Sequence, residues 1–162
     1  MLTPIITQDE ISFEPGPRGA GSFWSGDNLL ATLTIPSGTG RQGRLSIRQD
    51  NRALDLQTAT AGQRRVYRLI EAGKSLGSAE WDSGAPSASL TYRGRDYGVT
   101  PTGLIAAGGP DAQPLVTFDT SINWAAKQLA LRVRQVTDLP LVVFFVFIAH
   151  DLASVVSGQN MR

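Results

Sequence analysis

The sequence predicts a mainly β domain that ends in one buried α-helix. Residues from about 9 to 136 form short apolar or alternating segments bounded by Gly, Pro, Asn, Asp and Ser, which is typical of an all-β sandwich or barrel. The last quarter then holds an almost unbroken apolar run, 139–149, in which nine of eleven residues are large and apolar. A length of 162 residues suits one domain with a proper core, so we expect residues 1–162 to form a single domain.

The region from about 9 to 136 predicts about ten or eleven short strands, each with one buried face. Ile11 and Phe13 fall on one side of the first strand, and Leu45 and Ile47 alternate with polar residues in another. A tight hairpin is expected around Gly94. The predicted strands are 10–14, 28–35, 44–48, 53–58, 65–72, 75–81, 87–92, 97–99, 103–107, 115–118 and 127–136. Residues 15–22 are expected to form a loop or a frayed lead-in.

The apolar run predicts a central helix over about residues 139–156. Periodicity alone would also allow a fully buried strand. Asp138 favours a helix because it is a good N-cap, and Pro140 then falls in the first turn, where a missing N–H costs nothing. Apolar residues continue at helical spacing as far as Val156, and Gly158 is the expected stop. Because its first three turns are apolar on every side, the helix is expected to be surrounded by protein.

The apolar run must be enclosed by protein or by lipid. At about 1.5–3 kcal/mol for each side chain, burying all nine contributes on the order of 14–27 kcal/mol as an upper bound. A membrane-spanning helix needs about 20 mostly apolar residues. Here the dense run covers eleven residues and is closed by His150 and Asp151. We therefore predict a buried helix, with a tail-anchored membrane protein as the less favoured alternative.

No catalytic or metal-binding motif stands out in the sequence. One His and no Cys argue against thiol catalysis, disulfides and transition-metal sites. His150 neighbours Asp151, but neighbours on a helix point about 100° apart, so the pair is interpreted as a polar cap where the helix leaves the core. The carboxylates lack calcium-loop spacing, and neither a P-loop nor a Gly-x-Ser-x-Gly elbow is present. We expect no enzymatic activity, no metal and no cofactor.

Anion binding is the candidate function that the charge pattern leaves open. The formal net charge of +1 argues against a dedicated nucleic-acid binder. The basic residues comprise thirteen Arg and two Lys, and Arg is the better bidentate partner for carboxylate or phosphate. Arg44 and Arg48 alternate with apolar residues, as do Arg132 and Arg134, so these four are predicted to face outward. They form either an anion-binding set or simply a solvated exterior.

The order of the elements resembles the tubby C-terminal-like superfamily, which includes the tubby domain, the phospholipid scramblases and the LURP-one-related proteins. The resemblance is carried by the last predicted strand, 128–136, the cap Thr137-Asp138 and the apolar segment 139–151. It implies a closed antiparallel β-barrel of about 10–12 short strands that encloses one C-terminal hydrophobic α-helix. Three Phe residues make this helix bulkier than the usual aliphatic helix of the family, and the chain has no counterpart of the palmitoylated Cys cluster of scramblases.

The resemblance and the arginine content together predict a non-enzymatic binding module. Its expected ligand is an anionic phospholipid or phosphate head group at a membrane surface, contacted by Arg44, Arg48, Arg132 and Arg134. The alternative is a structural or protein-interaction protein without a lipid ligand. The N-terminus has neither the charged region nor the apolar stretch of a secretory signal. A cytoplasmic location, peripheral to the membrane if lipid is bound, is therefore expected.

Overall fold

The chain folds as a closed β-barrel around a C-terminal helix. The structure is a computed structural model that describes residues 4–5, 10–16, 20–36, 42–48, 51–82, 85–106, 114–118, 128–135 and 137–160, with side chains in the helix as far as residue 153. The elements in chain order are β1 (Pro4–Ile5), β2 (Glu10–Pro15), β3 (Gly21–Ser25), β4 (Asn28–Thr34), β5 (Gly43–Ile47), β6 (Arg52–Ala61), β7 (Arg64–Glu71), β8 (Lys74–Asp82), β9 (Ala88–Tyr92), β10 (Arg95–Val99), β11 (Gly103–Ala106), β12 (Pro114–Phe118), β13 (Leu129–Val133), β14 (Thr137–Asp138) and α1 (Leu139–Asn160).

The barrel is built from the twelve strands β2 to β13, each antiparallel to its neighbours in sequence. The pairing of β13 with β2, in which Leu131 lies opposite Ile11, closes the sheet on itself. Closure removes the sheet edges that could otherwise pair with other chains. Outside the barrel, β1 pairs with β14, with Pro4 opposite Asp138. Because the strands alternate in direction, every second turn lies at the same end of the barrel.

The predicted alternation of strand residues is confirmed, and the barrel has one strand more than the eleven that alternation predicts. In β5, Leu45 and Ile47 are buried while Arg44 and Ser46 are exposed. The prediction of a loop through residues 15–22 is wrong at both ends, because Pro15 belongs to β2, and Gly21 and Ser22 belong to β3. This strand has a single large inward side chain, Phe23, which packs on Phe13 of β2 with ring centroids 4.7 Å apart. One buried residue in five produces no visible alternation, which explains the missed strand.

The helix α1 lies inside the barrel, as predicted. The nine large apolar side chains between Leu139 and Ile148 are each at most 2% exposed. Phe145 packs on Phe118 of β12 at 5.6 Å between ring centroids, and the edge of Phe147 meets Tyr67 of β7 at 6.1 Å. In the described part of the chain, no helix combines the length and the apolar character needed to cross a bilayer.

The helix begins at Leu139, where Asp138 predicts its start, but it ends later than predicted. Gly158 was expected to stop it, whereas α1 continues to Asn160. A Gly inside a helix costs only about 1 kcal/mol relative to Ala, so a neighbouring helical segment can continue through it. The interior of the barrel is filled along the dense apolar run, which is the part that the sequence pattern defines best.

A small wall residue makes room for one of the bulky helix side chains. A Cβ atom added to Gly77 of β8 would lie 3.0 Å from the carbonyl oxygen of Thr91, 3.2 Å from the Tyr92 ring and 3.5 Å from the Phe144 ring. Core packing leaves no room for such a methyl group without movement of its neighbours. Gly77 therefore allows the Phe144 side of the helix to approach the wall closely.

Candidate functional site

Two carboxylates of the C-terminal segment, Asp138 and Asp151, are each held by a Tyr and an Arg of the barrel wall. Asp138 immediately precedes the helix, and Asp151 lies about 18 Å further along it at 1.5 Å per residue. We call the end of the barrel where α1 begins the entry end, and the opposite end the far end. The β9–β10 turn lies at the entry end, because its Arg93 contacts Asp138. Every second turn of an antiparallel barrel lies at the same end, so the turns β7–β8 and β5–β6 lie there too.

At the far end, the carboxylate of Asp151 is buried against β7. Its Oδ2 accepts a hydrogen bond of 2.8 Å from the Tyr67 hydroxyl and a longer one of 3.4 Å from Nη1 of Arg65. The Arg65 guanidinium also stacks on the Trp81 ring, 5.6 Å from its centroid, which restricts its orientation. Because Arg65 and Tyr67 are two residues apart on one strand, both point into the barrel.

The interpretation of His150-Asp151 as a polar cap is wrong for Asp151. The Asp151 side chain is only 3% exposed, whereas His150 is half-buried. A carboxylate in the core needs charged or polar partners, and the wall of the barrel supplies them at this level. The Oδ2 atom of Asp151 is directed to Tyr67 and Arg65.

At the entry end, the carboxylate of Asp138 is held by the β9–β10 hairpin. Its Oδ2 accepts a hydrogen bond of 3.0 Å from the Tyr92 hydroxyl and lies 3.4 Å from Nε of Arg93. The Asp138 side chain is 12% exposed and that of Arg93 is 40% exposed, so this contact borders the solvent. Burial of the phenol, together with the neighbouring Asp138 charge, raises the pKa of Tyr92 well above its usual value.

A second ion pair, between Arg52 and Glu71, lies at the same end of the barrel. Nε and Nη2 of Arg52 donate to the two oxygens of Glu71 at 2.7 Å and 2.6 Å, the bidentate geometry that gives the strongest arginine–carboxylate pairs. Arg52 is 10% exposed and Glu71 28%. The hydrogen bond from Arg52 lowers the pKa of the Glu71 carboxyl, against a smaller opposing effect of burial. This carboxylate is thus already neutralised by its partner.

Three further exposed cations at the entry end make neither an ion pair nor a side-chain hydrogen bond within the described ranges: Arg48, Lys74 and Arg95. Arg48 follows β5, Lys74 begins β8 and Arg95 begins β10, so they stand at three successive entry-end turns. We call these three residues the cationic rim. Successive turns are two strands apart, or about 10 Å at 4.8 Å per strand. Arg48 beside β5 lies three strands, or about 14 Å, from Lys74 on β8. Lys74 lies two strands, or about 10 Å, from Arg95 on β10, so the cationic rim forms an arc of about 24 Å.

The structure does not bring the four predicted arginines into one cluster. Arg44 and Arg48 belong to the β5 segment, while Arg132 and Arg134 belong to that of β13. Three strands, β2, β3 and β4, separate the two pairs, which corresponds to about 19 Å along the wall. Arg44, Arg48 and Arg134 are exposed, and Arg132 is half-buried between two inward-facing neighbours.

Arg44 and Arg134, two of these four arginines, contact neighbouring side chains. Nη2 of Arg44 is 3.2 Å from Oδ1 of Asp55 on the outer wall, and Nε of Arg134 donates to Oγ1 of Thr117 at 3.0 Å. Sequence reasoning therefore selected only one member of the cationic rim, Arg48. The signal for the others was the position of Lys74 and Arg95 directly after two tight turns that contain Gly.

The arrangement suits recognition at the barrel surface. No group of three His, Cys, Asp or Glu side chains in the described segments is placed to hold a metal ion. The interior is occupied by α1 along its apolar run, so the polar and charged groups available to a ligand lie at the two ends and on the outer wall.

The fold and this surface define the class of protein: a twelve-stranded antiparallel barrel with a helical core and a charged rim. Comparison of the chain with protein-family models, curated proteins and solved structures finds no match.

Proposed function

We propose that this protein is a non-enzymatic binding module of tubby-like fold whose entry end recognises anionic phospholipid or phosphate head groups at a membrane surface. The observation that carries the proposal is the cationic rim, Arg48, Lys74 and Arg95, three exposed cations along one end of the barrel. The proposal keeps Arg48 from the arginines selected by sequence and adds two residues from neighbouring turns.

The filled interior supports a surface ligand over an enclosed one. Barrels that carry small ligands hold them in an open interior, as in the eight-stranded ligand-binding barrels. Here the helix occupies that space, and side chains such as Phe144 and Phe147 are no more than 1% exposed. A ligand would have to displace this core to enter. Recognition by the rim requires no such change.

The charges at the entry end support an anionic ligand. Its two partly buried carboxylates are bound by arginine, Glu71 by Arg52 and Asp138 by Arg93. The three cations of the cationic rim make no ion pair in the segments that the structure describes, so they can attract anions from solution. The exposed carboxylates Asp27 and Asp96 at this end reduce the net attraction. Each Lys or Arg close to an anionic membrane surface contributes about 1 kcal/mol of attraction, so three together contribute on the order of 3 kcal/mol.

The spacing of the cationic rim favours a surface that bears many phosphates. The backbone positions of its residues lie about 10–14 Å apart, a spacing that suits separate phosphate groups better than a single one. The β7–β8 and β9–β10 turns are two-residue hairpins with positive φ at both positions: Ala72 (53°), Gly73 (79°), Arg93 (50°) and Gly94 (78°). Such tight turns hold the flanking residues in fixed positions. A rigid, spaced array suits several head groups in one plane.

Co-sedimentation with vesicles tests the proposal. The protein is mixed with vesicles of phosphatidylcholine alone or with added phosphatidylserine, at low and at physiological salt, with inorganic phosphate as a soluble competitor. We expect binding that requires phosphatidylserine and weakens as salt screens the charges. The triple variant Arg48→Ala/Lys74→Ala/Arg95→Ala should lose about two orders of magnitude in affinity, given about 1 kcal/mol for each cation.

A matched variant separates position from net charge. Arg44→Ala/Arg132→Ala/Arg134→Ala removes three positive charges from the β5 and β13 segments outside the cationic rim, and we expect it to lose much less affinity. A larger loss in this variant than in the cationic-rim variant would indicate that the arginines selected from the sequence bind the head groups. Equal, salt-insensitive binding to neutral vesicles would overturn recognition of head groups and indicate a lipid-seeking helix. No binding to either vesicle would favour the protein-interaction alternative, and self-association on a sizing column would support it.

A further inference from the structure

We infer that Asp138 acts as an internal competitor of the anionic ligand, because it holds Arg93 beside the cationic rim and releases it when a head group binds. This inference rests on the proposed function and concerns the regulation of the same site. The observation behind it is that Arg93 lies in the turn just before Arg95 and contacts both the carboxylate of Asp138 and the solvent.

Arg93 has the donors to serve either partner. A guanidinium carries five N–H groups in a fixed fork. Nε of Arg93 faces Oδ2 of Asp138 at 3.4 Å, and the guanidinium lies 5.9 Å from the centroid of the Tyr92 ring. With 40% of its side chain exposed, Arg93 can turn its remaining donors to an anion outside the barrel.

The contact with Asp138 is weak enough to be exchanged. Charge-assisted N–H···O contacts are typically 2.7–2.9 Å long. The Arg93–Asp138 distance of 3.4 Å exceeds this range, whereas the neighbouring Arg52–Glu71 pair, at 2.6 Å and 2.7 Å, is close to it. Of the two arginine–carboxylate pairs at this end, Arg93–Asp138 is therefore the one that a phosphate can displace.

The Asp138 carboxylate keeps polar partners after Arg93 leaves. Its carboxylate keeps the hydrogen bond from the Tyr92 hydroxyl, and it stands directly before the first residue of α1. A negative charge at a helix N-terminus is stabilised by the unpaired N–H groups of the first turn. The exchange thus moves one positive charge to the ligand without leaving a buried carboxylate bare.

The test is the vesicle binding of Asp138→Asn, with phosphatidylserine-containing vesicles as the probe. The amide keeps the size of the side chain and an oxygen for Tyr92, but it removes the charge that holds Arg93. We expect binding about fivefold tighter, which is the gain from one additional arginine near an anionic surface. The control is Asp82→Asn, which removes an equal charge from the far end, where Asp82 pairs with Arg64. It should change binding by less than twofold.

A double variant identifies the cation that is released. Asp138→Asn/Arg93→Gln should lose the gain, while thermal unfolding of each variant verifies that the barrel stays folded. The inference is overturned if Asp138→Asn binds no tighter than Asp82→Asn, or if the double variant keeps the gain. In that case the proposed function still stands if the cationic-rim variant has lost affinity. If neither the wild type nor Asp138→Asn binds the vesicles, both the proposal and the inference fail.

Discussion

The two ends of the barrel use the same three kinds of side chain, Asp, Tyr and Arg, in different surroundings. At the far end, Asp151 is 3% exposed and receives a 2.8 Å hydrogen bond from Tyr67. At the entry end, Asp138 is 12% exposed, and its hydrogen bond from Tyr92 is 3.0 Å long. In both places an arginine completes the contact at 3.4 Å. Burial is what turns the far end into a fixed attachment and leaves the entry end able to exchange partners.

The difference follows from how the two strands present their residues. Arg65 and Tyr67 alternate on β7, so the inward face of one strand carries both donors. Tyr92 and Arg93 are consecutive, and they meet the same carboxylate only because β9 ends at Tyr92 and the chain turns with positive φ. A site inside a strand is enclosed by its neighbours, whereas a site in a turn borders the solvent.

Replacing Asp151 or Asp138 should produce the largest difference in stability between the two ends of the barrel. Asp151→Ala removes the acceptor of a buried hydrogen bond and the partner of Arg65, so we expect a loss of about 2–3 kcal/mol in the free energy of unfolding. Asp138→Ala should cost about 1 kcal/mol, since water can replace part of its contacts and the loss resembles that of an N-cap. Urea unfolding measures both. Equal losses would contradict the distinction drawn between the ends.

Removing the two hydroxyl groups should produce the next largest difference. Tyr67→Phe deprives the buried Asp151 carboxylate of its shortest hydrogen bond, and we expect a loss of about 1.5–2 kcal/mol. Tyr92→Phe should lose about 0.5–1 kcal/mol, because Asp138 stays partly hydrated. Tyr97→Phe is the matched control, as no hydrogen bond of this half-buried hydroxyl exists within the described residues. A larger effect at Tyr92 than at Tyr67 would reverse the comparison.

Alkaline pH should weaken the entry end through Tyr92. Its pKa is raised in the folded protein, so above the usual value of 10.0 the unfolded chain releases this proton while the folded chain retains it. The free energy of unfolding therefore falls as pH rises past about 10. Thermal unfolding of the wild type and of Tyr92→Phe from pH 8 upward measures this contribution. The variant should show a shallower decline, and identical slopes would exclude Tyr92 as its source.

The smallest expected effect is the relief of backbone strain in the entry-end turns. Ala72 and Arg93 occupy the same position in two hairpins, at φ of 53° and 50°. Ala72→Gly should stabilise the protein by about 0.5–1 kcal/mol, because Gly adopts this conformation without a Cβ clash. Arg93→Gly gains the same relief but loses the contact with Asp138, so we expect little net change. Chemical denaturation compares the two variants, and an equal gain in both would show that Arg93 adds nothing to stability.

Much of the fold could be predicted because it depends on patterns local to the chain. Alternation identified eleven of the twelve barrel strands, and it failed only at β3, where Phe23 alone marks the buried face. The start of α1 at Leu139 follows from Asp138 and Pro140. Its late end at Asn160 does not, since a single Gly158 costs too little to stop a helix. The resemblance in the order of the elements implied a closed barrel, but it did not predict which residues of neighbouring strands lie opposite each other.

The candidate site could be predicted only in part. The outward position of Arg44 and Arg48 follows from the alternation of β5, but the ion pair of Arg44 with Asp55 depends on the register with β6. The burial of Asp151 was missed for the same reason. Beside His150, the sequence suggests a polar helix end, and nothing near it in the chain indicates Tyr67, which lies 84 residues away.

The amino-acid sequence by itself determined that an apolar helix follows a series of half-buried strands and must be enclosed by them. That outcome depends on the transfer of large apolar side chains out of water, which needs no particular partner. Only the tertiary structure decided which polar groups meet, such as Asp138 with Tyr92 across 46 residues. A hydrogen bond or ion pair requires its two atoms within a few tenths of an ångström of one distance, and only the register of the closed barrel sets that distance.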